Sequence, residues 1–292
     1  MSGAFSLPST GFSGDIARVN SFRVSRRVFT MSRLHRSYLT SDSQWLDDRV
    51  TLDERESHHL AKVLRAREGD EVEVFDGRGE IHRCRLIGVS ANRVELKSTD
   101  KKFVEPACPS FVLGVAVPKG RKMDEIVRQA GEMGATRVVP LVTDRSEGST
   151  DPRHWESKRE RWRIGAIEAC KQSGNAYLPE IAPFCALPDW LSSLSGGTFK
   201  ILASLEPDAL PLRNWLDKGR AKEIPDEVAL LVGPEGDLTS EEYASARATD
   251  FLPCNFGPNV LRVDTAAVCA FAVAKEEFRA YLASQPTNQP DN

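Results

Sequence analysis

The chain has 292 residues, with 39 Lys and Arg against 42 Asp and Glu, a formal charge of −3, and 40% hydrophobic residues. That length holds one large domain or two ordinary ones. No apolar run approaches the roughly 20 residues of a membrane-spanning helix, and the acidic balance excludes indiscriminate nucleic-acid binding, because counterion release needs a local cationic patch.

The first 41 residues differ from the rest. They hold six arginines, no lysine, nine serines and the single acid Asp15, a balance of +5 that leaves −8 for the remaining chain. An Arg-rich, Ser-rich, acid-poor leader reads as an organelle transit peptide, with a disordered tail or upstream extension as the alternative. Residues 1–36 are assigned to this leader and 285–292 to a disordered tail.

A small β domain is expected over 37–103. Glu56 to Arg65 reads as a helix. Glu71 to Phe75 alternates apolar and polar residues, Asp76-Gly77-Arg78-Gly79 is a hairpin turn, and Ile81 to Val89 is the returning strand. Asn92 to Lys97 adds one more strand, and Lys101 to Pro109 is the linker. The His58-His59 pair has no nearby partner for a metal and reads as structural. Arg65, Arg67, Arg78, Arg83 and Arg85 are surface cations within reach of phosphate or simply solvated.

Ser110 to Val117 is a near-continuous apolar run, suited to a buried parallel strand. The next helix puts Met123, Ile126, Val127, Ala130 and Met133 on one face and ends at Gly134. Val138 to Val142 is a strand, and a helix from about His154 to Gln172 follows a polar loop. Its first part, Arg153 to Arg163, mixes five basic residues with Trp155 and Trp162. That mixture suits phosphate contacts with base stacking, or equally a solvated face whose tryptophans pack inward. Thr198 to Leu205 is a further strand ending at Glu206-Pro207. The six cysteines form no Cys-x-x-Cys pair and no cluster with histidine, so they read as buried thiols and not as a disulfide framework or a zinc site.

The last quarter carries the strongest signal. Leu230-Leu231-Val232-Gly233-Pro234-Glu235-Gly236 and Phe256-Gly257-Pro258-Asn259-Val260-Leu261-Arg262 both follow apolar strands and turn at Gly-Pro. Thr239 and Glu242 have capping-box spacing, so a helix begins near Ser240. Asp250 to Phe256 is a short strand, and Asp264 or Thr265 caps a helix over Ala266 to Ala283. The alternation of strand and helix predicts an α/β domain over 110–284 with a mostly parallel sheet and flanking helices. Ligands bind such sheets at the carboxyl ends of the strands.

GPEGDLTSEE followed by FGPNVLRVDTAA resembles the bacterial-type small-subunit ribosomal RNA uracil-N3 methyltransferases, of the knotted (SPOUT) S-adenosylmethionine-dependent superfamily. Pro118 to Asp124, Arg137 to Val142, Lys158 to Trp162 and Ala169 to Ser173 extend the resemblance, which covers about residues 37–283. It departs at Asp237, where a second glycine is expected, and at Asn259, where a basic residue is common. The resemblance implies a PUA-like RNA-binding β-barrel before a trefoil-knotted catalytic domain, and a homodimer. It implies S-adenosylmethionine as cofactor, held by Leu205, Glu206, Val232, Gly233, Pro234, Glu235, Gly236, Phe256, Gly257, Val260 and Leu261. With no metal-ligand cluster and no membrane-length apolar run in the sequence, neither a metal nor a membrane partner is expected. The expected substrate is small-subunit ribosomal RNA or the assembling subunit, contacted by Lys119, Arg121, Lys122, Arg159, Arg163 and Lys171. With the leader, it points to an organelle ribosome, in a chloroplast before a mitochondrion.

Uracil N3 carries a proton on the pairing edge, so the base must be unpaired or flipped out. Charge left on O2 and O4 would favour a nearby arginine, and Arg262 is the first catalytic candidate with Arg145 the second. Another knotted RNA methyltransferase, acting on ribose or a different base, and a non-catalytic assembly factor are the alternatives.

Overall fold

A computed structural model describes residues 34–40, 43, 45–146, 152–221 and 225–284. Of the leader assigned to 1–36, residues 1–33 lie outside the described residues, while His35 and Arg36 belong to a strand of the amino-terminal sheet, which corrects that boundary. The tail over 285–292 lies outside the described residues as well.

The amino-terminal sheet has strands β1 (His35–Tyr38), β2 (Arg49–Thr51), β3 (Glu71–Phe75), β4 (Glu80–Val89) and β5 (Val94–Phe103), in the order β1-β3-β4-β5-β2. Strands β3, β4, β5 and β2 pair antiparallel, while β1 lies parallel to β3. Period-two alternation puts Val72, Val74, Cys84, Leu86, Val94 and Leu96 in one buried cluster with Leu60. Leu60 arrives on α1 (Glu54–His58) and the π-helical turn His59–Val63 that continues it. The Asp53 carboxylate accepts from Glu56 N at 2.8 Å and starts this helix two residues before the expected Glu56. Strand β5 runs to Phe103, so the linker is shorter than Lys101 to Pro109. Among the described residues no ladder joins β1 to β2.

The larger sheet contains β6 (Ser110–Ala116), β7 (Arg137–Val142), β8 (Glu180–Ile181), β9 (Cys185–Ala186), β10 (Phe199–Ala203), β11 (Glu227–Val232) and β12 (Leu252–Cys254). The order is β12-β10-β11-β6-β7-β8, with β9 also on β7, and every ladder is parallel. One face packs against α2 (Lys122–Met133), α3 (Pro152–Ser173), α5 (Leu212–Asp217) and α7 (Val263–Ser284). The other packs against α4 (Leu187–Ser193) and α6 (Ser240–Ala248). Burial on both faces explains the unbroken apolar runs of β6 and β11. A Cβ on Gly114 would overlap the Trp190 ring, so this strand glycine is the seat of α4.

The capping box of α6 is present: Glu242 N donates to Thr239 Oγ1 at 3.2 Å, and Thr239 N to Glu242 Oε2 at 2.8 Å. Helix α7 starts at Val263, earlier than expected. Ala266 N donates to Arg262 O at 2.7 Å, so Asp264 and Thr265 lie inside the first turn and do not cap it.

Trp155 and Trp162 settle the open alternative for α3. Both are buried, and Trp162 Nε1 donates to Asp124 Oδ1 at 2.7 Å. They are core and helix-anchoring residues, closed to base stacking.

The two sheets meet in a polar seam. Arg36 Nη1 donates to Cys170 O at 2.6 Å and Asn175 O at 3.2 Å. Lys171 Nζ binds Glu56 Oε1 at 3.1 Å with side chains only 7% and 3% exposed. The expected assignment of Lys171 to RNA is therefore corrected: its ammonium is enclosed between α3 and α1 and compensates a buried carboxylate. The β3–β4 turn also docks here. Gly79 N donates to Ala176 O at 3.2 Å and Leu178 N to Gly77 O at 3.0 Å. A Cβ on Gly79 would meet Tyr177 Oη at 2.5 Å, which is why this turn needs glycine.

Candidate active site

Strands β10, β11 and β12 are neighbours, and their carboxyl ends open into one cavity of about 310 Å³. Of the expected binding residues, Leu205, Val232, Gly233, Pro234, Glu235, Phe256, Gly257, Val260 and Leu261 line it. Glu206 and Gly236 do not. Glu206 N turns back to Ser204 Oγ at 3.1 Å, and Gly236 packs against Arg145. Sequence reasoning missed Ala203, Ser204, Asp237, Asn255, Asn259, Val263 and Ala266, which complete the wall. Their signal was adjacency: each sits within a few residues of a strand end or of the second Gly-Pro loop already identified.

Gly257 has φ of 115°, a conformation side chains rarely adopt, with open space where a Cβ would stand. Gly233 has little room: a Cβ there would meet Leu238 Cγ at 3.3 Å and Asp237 Oδ1 at 3.4 Å. Asp237 itself has φ of 62°. It holds this left-handed turn without glycine because its carboxylate accepts from Leu238 N at 2.8 Å and from Tyr243 Oη at 2.9 and 3.1 Å. Burial pushes the Tyr243 phenol up to about 12, so it stays a donor at neutral pH.

The first Gly-Pro loop is braced from outside. Glu235 Oε1 accepts from Lys122 Nζ at 2.6 Å and from Lys119 N at 3.3 Å. Burial raises the Glu235 pKa, but the Lys122 hydrogen bond and charge with the backbone donors outweigh it, and the net shift is downward. Lys122 thus ties α2 to the loop and is committed to Glu235. Arg145 Nη1 donates to Gly236 O at 2.6 Å and Leu238 O at 3.5 Å, a brace from the end of β7 to the same loop.

Arg262 lines the cavity beside the second loop, with its side chain 70% exposed and Nε 3.4 Å from Asp264 Oδ1. Of the expected RNA contacts, Lys119 and Arg121 are exposed beside the loop leading into α2. Arg159 and Arg163 are half-buried on α3 and pair with Glu156 at 3.1 Å and Glu160 at 3.6 Å.

Residues 106–275 match the RNA methyltransferase domain family, and residues 52–97 match the RNA methyltransferase PUA domain. Ribosomal RNA small subunit methyltransferase E of Synechocystis is 31% identical over 235 residues, 80% of this chain and 75% of that protein. The chain belongs to the ribosomal RNA small subunit methyltransferase E family. The Bacillus subtilis methyltransferase E is 28% identical over 220 residues, 74% of this chain and 86% of that protein. A Legionella pneumophila methyltransferase solved with S-adenosylmethionine superposes with a TM-score of 0.76 at 25% identity, over 84% of this chain and 98% of that one. Methyltransferase E of Neisseria gonorrhoeae, also bound to S-adenosylmethionine, shares the fold at a TM-score of 0.73 and 24% identity, over 83% and 97% of the two chains. Membership of the methyltransferase E family gives the strand-end cavity and its two Gly-Pro loops a chemical context.

Proposed function

We propose that this protein uses S-adenosylmethionine to methylate N3 of one uridine in small-subunit ribosomal RNA of an organelle ribosome. The observation that carries the reading is the cavity at three adjacent strand ends, walled by two Gly-Pro loops with Arg262 on its rim. The cavity fits the cofactor. It is at the lower end of the roughly 300–1,000 Å³ range of ligand sites, with an apolar wall of Leu205, Val232, Val260 and Leu261 and backbone groups at the turns.

When bound, the cofactor supplies an already activated methyl on a sulfonium. The chain's own residues do the rest. Val232 to Glu235 with Phe256, Gly257, Asn259, Val260 and Leu261 would hold the group, and Lys122 and Arg145 hold the first loop in place. Exposed Arg262, whose Nε lies 3.4 Å from Asp264 Oδ1, would present its outer guanidinium nitrogens to uracil O2 or O4 as N3 loses its proton. Lys119, Arg121, Arg159 and Arg163 supply cations for the phosphate backbone, and the buried seam fixes the PUA-like domain against α3.

The proposal includes a homodimer, threading of the segment near 227–265 through an earlier loop, and import by the Arg-rich leader, into a chloroplast before a mitochondrion. Titration of S-adenosylmethionine into the purified protein by calorimetry tests the cofactor. Micromolar binding that Gly233→Val abolishes supports the reading, and no binding by wild type removes it. Loss of a methylated uridine from organelle small-subunit RNA on gene deletion tests the substrate, and loss of a ribose methylation instead would favour the other reaction.

A further inference from the structure

We propose that the Asp237 carboxylate reads charge in the cofactor cavity, favouring the cationic methyl donor over the neutral demethylated product. The inference rests on the reading that the cavity takes S-adenosylmethionine.

Three observations place a negative charge there. Asp237 lines the cavity, and its Oδ1 lies within 3.4 Å of where a Cβ on Gly233 would stand, against the backbone of the first Gly-Pro loop. The carboxylate is fixed: Leu238 N donates to Oδ1 at 2.8 Å, and Tyr243 Oη reaches Oδ1 at 2.9 Å and Oδ2 at 3.1 Å. These donors are neutral, and an ionised carboxylate has about four acceptor sites, so some acceptor capacity remains. Arg145, which braces the same loop, spends its Nη1 on Gly236 O at 2.6 Å and Leu238 O at 3.5 Å and not on the carboxylate. The other charged groups of the wall are already balanced. Glu235 is paired with Lys122 at 2.6 Å, and Arg262 faces Asp264 at 3.4 Å. Among the described residues no ion pair includes Asp237.

The two ligands differ at one point. S-adenosylmethionine carries a sulfonium, and S-adenosylhomocysteine carries a neutral thioether in its place. A fixed carboxylate in the cavity therefore attracts the donor more than the product. One charge contact near a protein surface is worth on the order of a tenfold change in affinity. The consequence is faster clearance of product and weaker product inhibition.

Asp237→Asn is the discriminating variant. Asn tolerates a positive φ and its Oδ1 can still accept from Leu238 N and Tyr243 Oη, so the turn is kept and only the charge is lost. Calorimetry on the full chain should show S-adenosylmethionine affinity falling about tenfold while S-adenosylhomocysteine affinity stays within about twofold. The donor-to-product ratio of the wild type should shrink with added salt, and that of Asp237→Asn should not. Tyr243→Phe, which keeps the carboxylate, should retain the donor preference. Equal loss of both affinities in Asp237→Asn, or no loss of either, overturns the charge-reading role. Wild-type protein that binds neither ligand overturns the cofactor reading and this inference together.

Discussion

Lys171→Met should cost the protein much of its stability without touching the catalytic cavity. Lys171 Nζ lies 3.1 and 3.2 Å from the two Glu56 oxygens and 3.3 Å from Glu168 Oε1. Glu56 is 3% exposed, and its remaining partner is Tyr38 N at 3.2 Å. Removing the lysine leaves a buried carboxylate without its counter-charge, a loss of about 3–5 kcal/mol. Glu168 has Arg55 at 2.9 Å and stands without Lys171. Adding Glu56→Gln removes the stranded charge while keeping an acceptor for Tyr38 N, so the double variant should recover about 2 kcal/mol or more of the loss. Urea unfolding followed by circular dichroism and tryptophan fluorescence measures both. The single variant should also separate into two transitions, because the seam couples the two sheets. A Lys171→Met midpoint within about 0.5 kcal/mol of wild type, or strictly additive single and double variants, would refute the argument. A change in RNA affinity at unchanged stability would return Lys171 to the substrate surface.

Further outcomes follow from the geometry. Gly233→Val should abolish S-adenosylmethionine binding while circular dichroism stays native, because its side chain would displace Leu238 and Asp237 from contacts of 3.3 and 3.4 Å. Gly79→Ala should destabilise by more than the ~1 kcal/mol of an ordinary turn substitution, since φ is 105° and the new Cβ meets Val104 O at 2.8 Å as well as Tyr177; an unchanged melting curve would contradict it. Arg262→Lys should bind cofactor normally and turn over about 10- to 150-fold more slowly, the loss of one charge-assisted hydrogen bond of roughly 1.5–3 kcal/mol. Weakened cofactor binding with normal turnover at saturation would make Arg262 a pocket residue instead. Burial pushes the thiols of Cys84, Cys170 and Cys254 up to about 12. The unfolded chain ionises them near pH ~8.5, so their burial opposes folding only above that value, and stability should fall as pH rises from there toward 12. At pH 8, exposed Cys108 should react first with a thiol reagent, and these three only on unfolding.

The larger fold was legible because its strands are buried on both faces. Ser110 to Ala116 and Glu227 to Val232 show as apolar runs, and Thr239 with Glu242 marks a helix start by local chemistry alone. The cavity was legible for the same reason: Gly-Pro at two strand ends is a local signal. The elements β8, β9, α4 and α5 left no readable pattern. They have 2, 2, 7 and 6 residues, too few for a period to show. The seam was hidden because its partners lie far apart in the sequence, Arg36 from Cys170 and Glu56 from Lys171. Lys171 follows a basic tract and reads as one more surface cation until Glu56 is placed beside it. Gly77 and Gly79 read as an ordinary hairpin turn, since nothing local reveals Tyr177 against them. Asp237 looked like a constraint on the loop, and it proves to adopt the left-handed turn with help from Tyr243.

The most direct test is methyl transfer itself. Purified protein, methyl-labelled S-adenosylmethionine and unmodified organelle small subunits or their RNA are incubated together, and the RNA is digested for nucleoside mass spectrometry. The account predicts label in 3-methyluridine at a single site, abolished by Gly233→Val and strongly reduced by Arg262→Lys. Label in a 2′-O-methyl nucleoside or another base, or no label with cofactor bound, would contradict it.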